Sequence, residues 1–166
     1  MSAWNAVLYL RNAGPRLKPA LDLLQRSVLM LQSGPQPISP QNVSRVLDLG
    51  CGPGNITPYL REAFPNAKIV GIDSSEEMLS IADKKVSQSD NYIYIYICIY
   101  AIAEDATEGY DVVYSNAALH WVPDHKTLFP ALMRCLVGRG GVLAVQMPDT
   151  RTQPSHTLML DACKVG

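Results

Sequence analysis

One stretch of this chain decides its fold: Val46-Leu47-Asp48-Leu49-Gly50-Cys51-Gly52-Pro53-Gly54. Its first four residues predict a short buried strand, and the segment from Asn55 to Phe64 predicts a helix. The glycines between strand and helix stand at alternate positions. A glycine-rich turn of this kind lets a ligand lie against bare backbone, because no Cβ holds the ligand away. We therefore expect a ligand site at this turn.

The spacing of the glycines excludes one common class of ligand. A dinucleotide-binding turn carries glycine at its first, third and sixth positions. Counted from Gly50, the sixth position is Asn55. Asp73 follows about 20 residues later, at the end of the next predicted strand, where an acidic side chain accepts hydrogen bonds from the ribose of an adenosine. The competing interpretation of Asp73 is a helix N-cap.

Strands and helices alternate along the chain. Leucines at helical spacing predict a helix over 15–31, and prolines predict a loop over 33–42. The other predicted elements are strands 46–50, 68–73, 111–115 and 142–147 and helices 54–63, 75–86 and 126–137. Ser74 and Ser75 with Glu77 predict the start of helix 75–86, and Ser74 and Glu77 stand at the capping-box interval. Alternation of this kind predicts an α/β fold with a mostly parallel sheet, helices on both faces and ligands beyond the carboxyl ends of the strands.

A low-complexity segment, residues 91–103, interrupts this order with alternating tyrosine and isoleucine. Its β propensity is high, and the third strand of the sheet is expected here. A second hypothesis is that the repeat translates a thymine–adenine microsatellite or an unremoved intron. Sequencing of the spliced transcript tests this hypothesis, because a repeat present in mature message would contradict it.

Length and composition favour a single enzyme-sized domain over 1–166, with an N-terminal segment at about 1–42 and a core at about 43–166. The net charge is −1, and nothing in the sequence suggests the basic stripe of a protein that binds nucleic acid electrostatically. The four cysteines form no Cys-x-x-Cys pair, which predicts free thiols and no metal site. The longest apolar run is shorter than the roughly 20 residues of a spanning helix. No signal peptide is evident, so a cytoplasmic protein without membrane partners is expected.

Several motifs together resemble the trans-aconitate methyltransferase family, which is a class I, S-adenosylmethionine (SAM)-dependent group. The glycine turn alone, read as Asp-x-Gly-x-Gly-x-Gly, is shared by a very large superfamily. The more specific matches are Trp4-Asn5-x-x-Leu8-Tyr9-Leu10, Gly71-Ile72-Asp73-Ser74-Ser75, Asn116-Ala117-x-Leu119-x-Trp121-x-Pro123-Asp124-His125, Gly141-Val142-Leu143-Ala144-Val145-Gln146-Met147-Pro148-Asp149 and Pro154-Ser155-His156-x-Leu158-Met159.

The resemblance implies a Rossmann-like class I methyltransferase fold, SAM as cofactor and methyl esterification of a carboxylate of trans-aconitate or a similar small molecule. Asp48 and Asn116 are expected near the methionine part of SAM, Met78 near adenine or in the core, and His120 with Trp121 over the methyl group. Asp124 and His125 are expected to cap a helix. The implied cofactor-binding residues are Asp48, Gly50, Cys51, Gly52, Gly54, Asp73, Ser74, Met78, Asp105, Asn116 and Trp121.

A small polycarboxylate needs aromatic and cationic contacts. The candidates are Trp4, Tyr9, Arg16, His120 and His156, with Arg11, Lys18 and Arg151 as further cations or as solvated surface charges. No catalytic residue is assigned, because a carboxylate is already ionised at neutral pH.

The chain departs from the family pattern in two places. Only Asp105 can correspond to the acidic residue that the family carries after its third strand. The family also continues beyond the position of Gly166, so the chain is expected to lack the last strands of the sheet. A non-catalytic SAM-binding remnant or fragment, and a SAM methyltransferase with another acceptor, are the alternative functions.

Overall fold

A computed structural model describes residues 13–85, 92–96, 109–138 and 140–149. Four of the predicted site residues, Trp4, Tyr9, Asp105 and His156, lie outside these ranges. Arg16 lies in the first helix, but its side chain is likewise outside what the structure describes. The elements are α1 (Ala13–Ser33), a 3-10 turn (Pro40–Asn42), β1 (Arg45–Leu49), α2 (Thr57–Ala63), β2 (Lys68–Asp73), α3 (Glu76–Lys85), β3 (Tyr92–Tyr96), β4 (Val112–Asn116), a second 3-10 turn (Leu119–Trp121), α4 (His125–Arg134) and β5 (Val142–Gln146).

The five described strands form one sheet in the order β3-β2-β1-β4-β5, and every neighbouring pair is parallel. β1 is central. From β1 the chain moves outward through β2 to β3, and then crosses to β4 on the other side. The strand order therefore reverses between β1 and β4, and ligands bind in the crevice at such a switch point in open α/β sheets. The predicted α/β architecture with a parallel sheet is confirmed.

Alternate side chains of β1 enter the two halves of the core. Val46 packs with Leu24 of α1 and Leu60 of α2 on one face of the sheet. Leu47 packs with Leu128 of α4 on the opposite face. This division follows from the two-residue period of a strand and places helices on both faces. No helix within the described ranges is long and apolar enough to cross a bilayer.

Two helix starts differ from the sequence prediction. α2 begins at Thr57 instead of residue 54, because Gly54 is left-handed at φ +70° and continues the turn. Of the two serines predicted to start α3, Ser75 is the one that caps it, and the capping box from Ser74 to Glu77 is wrong. The Oγ of Ser75 accepts the Met78 N–H at 3.3 Å and caps α3 one residue later.

The start of α4 agrees with the prediction in position but not in chemistry. Asp124 is the N-cap of α4 at φ 51°, yet its side chain makes no capping hydrogen bond. The Nε2 atom of His125 instead bonds the carbonyl of Leu119 at 2.8 Å.

Part of the tyrosine–isoleucine repeat forms the third strand, as predicted. β3 lies at the edge of the sheet, parallel to β2. Ile93 and Ile95 remain 41% and 40% exposed on one of its faces. Tyr94 points the other way, and its hydroxyl lies 3.1 Å from the Oγ1 of Thr57. The hypothesis on the genomic origin of the repeat stays a prediction.

Asp111 joins β1 to β4 at the amino end of the sheet. Its Oδ2 atom accepts the N–H groups of Ser44 at 2.7 Å and of Arg45 at 2.9 Å. Ser44 precedes β1 and Arg45 is its first residue. One carboxylate oxygen therefore satisfies two backbone N–H groups that the strand ladder does not pair.

We expect Asp111→Ala to lower the free energy of unfolding by about 1–3 kcal/mol, because two backbone donors lose a charged acceptor. Asp83→Ala, on the exposed side of α3, is the matched control and should change stability by less than about 0.5 kcal/mol. Urea unfolding of both variants measures the difference. Equal stability of the two would contradict the role of Asp111.

Candidate functional site

The glycine turn is held against the neighbouring strand by backbone hydrogen bonds. The N–H groups of Gly50 and Cys51 both donate to the carbonyl of Ile72, at 2.8 and 3.0 Å. The N–H of Gly54 donates back to Cys51 at 3.2 Å and closes the turn. The ends of β1 and β2 thus form one rigid edge beside the switch point of the sheet.

The three glycines are required for different reasons. All three have positive φ, at +70°, +55° and +70° for Gly50, Gly52 and Gly54. A Cβ on Gly50 would stand 2.2 Å from the Cβ of Ala118, and one on Gly54 would stand 2.6 Å from the Tyr94 hydroxyl. A Cβ on Gly52 would meet nothing within 4 Å. The open face of the turn is therefore at Gly52, where a ligand can approach the backbone.

Asp73 connects the turn to the following helix. Its Oδ2 accepts the Gly52 N–H and its Oδ1 accepts the Ser75 N–H, each at 2.9 Å. Burial raises the pKa of this carboxyl group, while backbone hydrogen bonds from Gly52, Ser75 and Ser74 oppose the rise. The two oxygens together carry four lone pairs, and three backbone N–H groups leave one of them for a further donor such as a hydroxyl group.

Two buried oxygen atoms near the turn have no hydrogen-bond partner among the described residues: Oδ2 of Asp48 and Oδ1 of Asn116. Asp48 pairs with Tyr114 across the β1–β4 ladder, and Asn116 lies two residues further along β4. Both side chains therefore project from the same face of the sheet. Burial, and secondarily the charge of Asp73, raise the pKa of Asp48 to about 7. Within the described residues both oxygen atoms are buried acceptors without a donor, and a cationic donor would satisfy them best.

A loop of residues 117–124, which we call the β4 loop, covers the turn from the β4 side. It contains the second 3-10 turn and the predicted site residues His120 and Trp121. Their rings lie 5.0 Å apart, and Trp121 is 71% exposed. Partial burial lowers the pKa of His120. The structure thus brings both side chains to the carboxyl edge of the sheet, facing solvent.

The remaining predicted ligand residues differ in exposure. Cys51 is buried, and burial raises the pKa of its thiol, so it is held in the neutral form and is a poor nucleophile. Met78 is 3% exposed and packs within the protein at the start of α3. Ser74 is exposed beside Asp73. The assignments of these three residues to a cofactor stay predictions.

One cation considered for the substrate lies on an exposed helix surface. Lys18 forms an i,i+4 ion pair with Asp22 at 3.1 Å on α1, with exposed fractions of 81% and 55% for the two side chains. Such pairs contribute little to stability and indicate a solvated surface. Arg11 and Arg151 lie outside the described residues.

Tyr94 is a site residue that sequence reasoning missed. Its hydroxyl group contacts Thr57 and lies directly over Gly54, which fixes the distance between β3 and the turn. Tyr94 is the register partner of Gly71 in β2. No motif in the sequence signals its contact with the turn, because Thr57 and Tyr94 are 37 residues apart along the chain.

A family model described as "Methyltransferase domain" matches residues 46–140. The matched region contains the turn, Asp73, Asn116 and the β4 loop. It therefore covers the described part of the site.

Curated relatives cover more of the chain. The trans-aconitate 2-methyltransferase of Variovorax paradoxus (strain S110) is 45% identical over 96% of this chain and 55% of the relative. The enzyme of the same name from Escherichia coli O45:K1 is 40% identical over 96% of this chain and 56% of the relative. The chain thus spans about half the length of the curated relatives that it matches.

Solved structures share the fold. The sugar N-methyltransferase KedS8 from a Streptoalloteichus species superposes with a TM-score of 0.64 at 22% identity, over 89% of this chain and 57% of that chain. The plantazolicin methyltransferase BpumL in complex with SAH superposes with a TM-score of 0.63 at 21% identity, over 80% of this chain and 48% of that chain. The sheet and its helices are therefore a class I methyltransferase fold, as the sequence predicted.

We expect alanine to be tolerated very differently at two glycines of the turn. Gly52→Ala should cost about 1–2 kcal/mol of unfolding free energy, because only the left-handed backbone is strained. Gly50→Ala should cost about 2–5 kcal/mol, because its Cβ also collides with Ala118. Denaturant unfolding measures both. Equal losses would show that the contact with Ala118 does not constrain Gly50.

Asp48 should make the stability of the chain depend on pH. Its folded-state pKa of about 7 exceeds the ordinary aspartate pKa of 3.8, so the folded state retains a proton that the unfolded state releases. The free energy of unfolding should therefore fall as pH rises from about 4 to about 7. In Asp48→Asn this fall is removed, and the variant should gain on the wild type by as much as about 4 kcal/mol between pH 4 and 8. Urea unfolding across this pH range measures the gain, and a constant difference would contradict the assignment.

Proposed function

We propose that this chain, which belongs to the methyltransferase domain family, binds SAM across the carboxyl ends of β1, β2 and β4. We propose further that it acts as an O-methyltransferase on a carboxylate of trans-aconitate or a similar small polycarboxylate. The observation that carries the cofactor assignment is the open face of Gly52 beside Asp73, together with the Asp48 Oδ2 and Asn116 Oδ1 atoms, which have no partner among the described residues.

The described residues fit the parts of SAM. The open backbone at Gly52 leaves room for the chain that links the adenosine to the methionine group. Asp73 retains a lone pair for a ribose hydroxyl group. We also assign Met78 to the adenine, together with Asp105, which lies outside the described residues. The free acceptors of Asp48 and Asn116 suit an ammonium group, which carries three donors.

Electrostatics favour a cationic ligand at the same place. Asp48 and Asp73 are two acidic groups near enough that the charge of one raises the pKa of the other. A positive charge between them would relieve this repulsion and lower the pKa of Asp48 towards its ordinary value. When bound, SAM supplies a methyl group carried on a positively charged sulfonium.

The acceptor assignment rests on the relatives of 40–45% identity, which are named trans-aconitate 2-methyltransferases. A carboxylate substrate has an ordinary pKa near 4 and is ionised at neutral pH, so the chain needs no general base. The role left to the protein is to hold the carboxylate in line with the methyl group and to exclude water. We assign contacts with the substrate to Trp4, Tyr9, Arg16, His120 and His156, and the region beside the methyl group to Trp121.

We expect the substrate to be a free small molecule and the protein to work in the cytoplasm, without nucleic acid or membrane partners. The division into an N-terminal segment at about 1–42 and a core at about 43–166 is part of the same proposal. In the described structure, α1 already packs on the sheet through Ala20, Leu24 and Leu31. This packing supports the proposal that the helix and the core form one domain.

Gly52→Ala should weaken the binding of S-adenosylhomocysteine at least about tenfold, because the new methyl group occupies the space of the ligand. Gly138→Ala is the matched control: Gly138 also has positive φ, at +29°, and its Cβ would also meet nothing within 4 Å. Its affinity should equal that of the wild type. Isothermal titration calorimetry of the three proteins measures the effect.

The titrations also separate the possible outcomes. A wild type that binds neither SAM nor S-adenosylhomocysteine would overturn the proposal. Binding of SAM without methylation of trans-aconitate, followed with methyl-labelled SAM, would leave a cofactor-binding chain without this activity. A panel of other small polycarboxylates then distinguishes a different acceptor from a non-catalytic remnant.

A further inference from the structure

The backbone of the β4 loop is strained at both ends. Ala117 has φ 54° and Asp124 has φ 51°, and these are the two positive-φ residues other than glycine in the described ranges. For side chains with a Cβ, such a conformation costs free energy and persists only where surrounding contacts enforce it. The conformation of this loop therefore depends on its contacts with the rest of the protein more than that of an ordinary surface turn does.

Two of those contacts secure the beginning of the loop. The N–H of Ala117 donates to the carbonyl of Gln146 in β5 at 2.8 Å. Ala118 lies so close to Gly50 that a Cβ added to Gly50 would be 2.2 Å from the Cβ of Ala118. The loop thus leaves β4 in direct contact with the glycine turn, and its path determines the width of the site on this side.

The middle of the loop is held by one carbonyl group. The oxygen of Leu119, whose side chain is fully buried, accepts the Val122 N–H at 3.0 Å within the 3-10 turn. The same oxygen lies 2.8 Å from the Nε2 atom of His125, the first residue of α4. A carbonyl oxygen only accepts, so Nε2 carries the hydrogen and donates it.

The ring of His125 is itself fixed from the other side. It packs edge to face against Phe129, one turn further along α4, at a centroid distance of 5.4 Å. α4 is anchored in the core by Leu128 and Leu132. The imidazole therefore links α4, which is anchored in the core, to the Leu119 carbonyl at the start of the 3-10 turn. His120 and Trp121 belong to that turn.

We infer that His125 is a positioning residue for the ligand site, a role additional to the proposed function and resting on it. Its hydrogen bond to Leu119 holds the strained β4 loop against the glycine turn, and so keeps Asn116 and Trp121 in the geometry that the ligand requires. His125 touches no ligand in this assignment. The bond acts only through the loop that it holds.

A pair of substitutions tests this role. In His125→Gln the amide nitrogen lies about where Nε2 lies in histidine, so the donor to Leu119 is kept. In His125→Asn the amide nitrogen reaches only the position of Nδ1, and the donor is lost. Both variants place an uncharged amide at the same position, which makes each the control for the other.

We expect His125→Asn to weaken the binding of S-adenosylhomocysteine by about three- to tenfold, the change that the loss of one neutral hydrogen bond produces. His125→Gln should stay within about twofold of the wild type by the same criterion. Calorimetric titration, at a temperature where all three proteins are fully folded, measures the affinities. Equal affinities for His125→Asn and wild type would overturn the inference.

A second measurement reads the loop without any ligand. In His125→Asn the amides of Trp121 and Val122 should exchange hydrogen faster, whereas those of β1 should be unchanged and His125→Gln should resemble the wild type. Unchanged exchange at Trp121 and Val122 would overturn the inference even if the wild type binds no cofactor. Failure of the wild type to bind would overturn the proposed function instead, so the two failures are distinguishable.

Discussion

The structure depends on how the chain turns after its central strand. Gly50 and Cys51 donate to the carbonyl of Ile72, and Gly52 donates to the carboxylate of Asp73. These bonds require a left-handed backbone at alternate residues, which only glycine adopts without strain. They fix the ends of β1 and β2 relative to each other. The β4 loop and Tyr94 then approach the turn closely, because no Cβ stands at Gly50 or Gly54.

The same edge of the sheet contains buried polar groups that have no hydrogen-bond partner among the described residues. Asp48 is buried beside the charge of Asp73, and an oxygen of Asn116 is buried without a partner in the described structure. Each arrangement disfavours folding, because a buried acceptor without a donor has lost its water. Strained or unsatisfied groups of this kind gather where a ligand completes the set. A cation with several donors, such as the ammonium group of the ligand that we propose, would therefore stabilise this edge of the sheet.

Much of this was available from the sequence. The β strands at 45–49 and 68–73 follow from short apolar runs, and the parallel order follows from their alternation with helices. The positions of Asp48, Asp73 and Asn116 follow as well, because the ends of parallel strands meet at one edge. The starts of α2 and α3 did not follow. Both depend on which of several neighbouring residues takes the left-handed or capping conformation, and contacts with other strands make that choice.

The sequence by itself determined the fold class and predicted a candidate site at the glycine turn and its acidic neighbours, because these depend on local pattern and on spacing along the chain. Only the tertiary structure decided that Gly52 is the open glycine, that one buried oxygen each of Asp48 and Asn116 has no partner within the described ranges, and that His125 bonds Leu119 across the β4 loop. Each of those facts depends on how separate strands, helices and loops pack against one another. No periodicity encodes such packing, since it is set by how the helices and loops fit around the sheet.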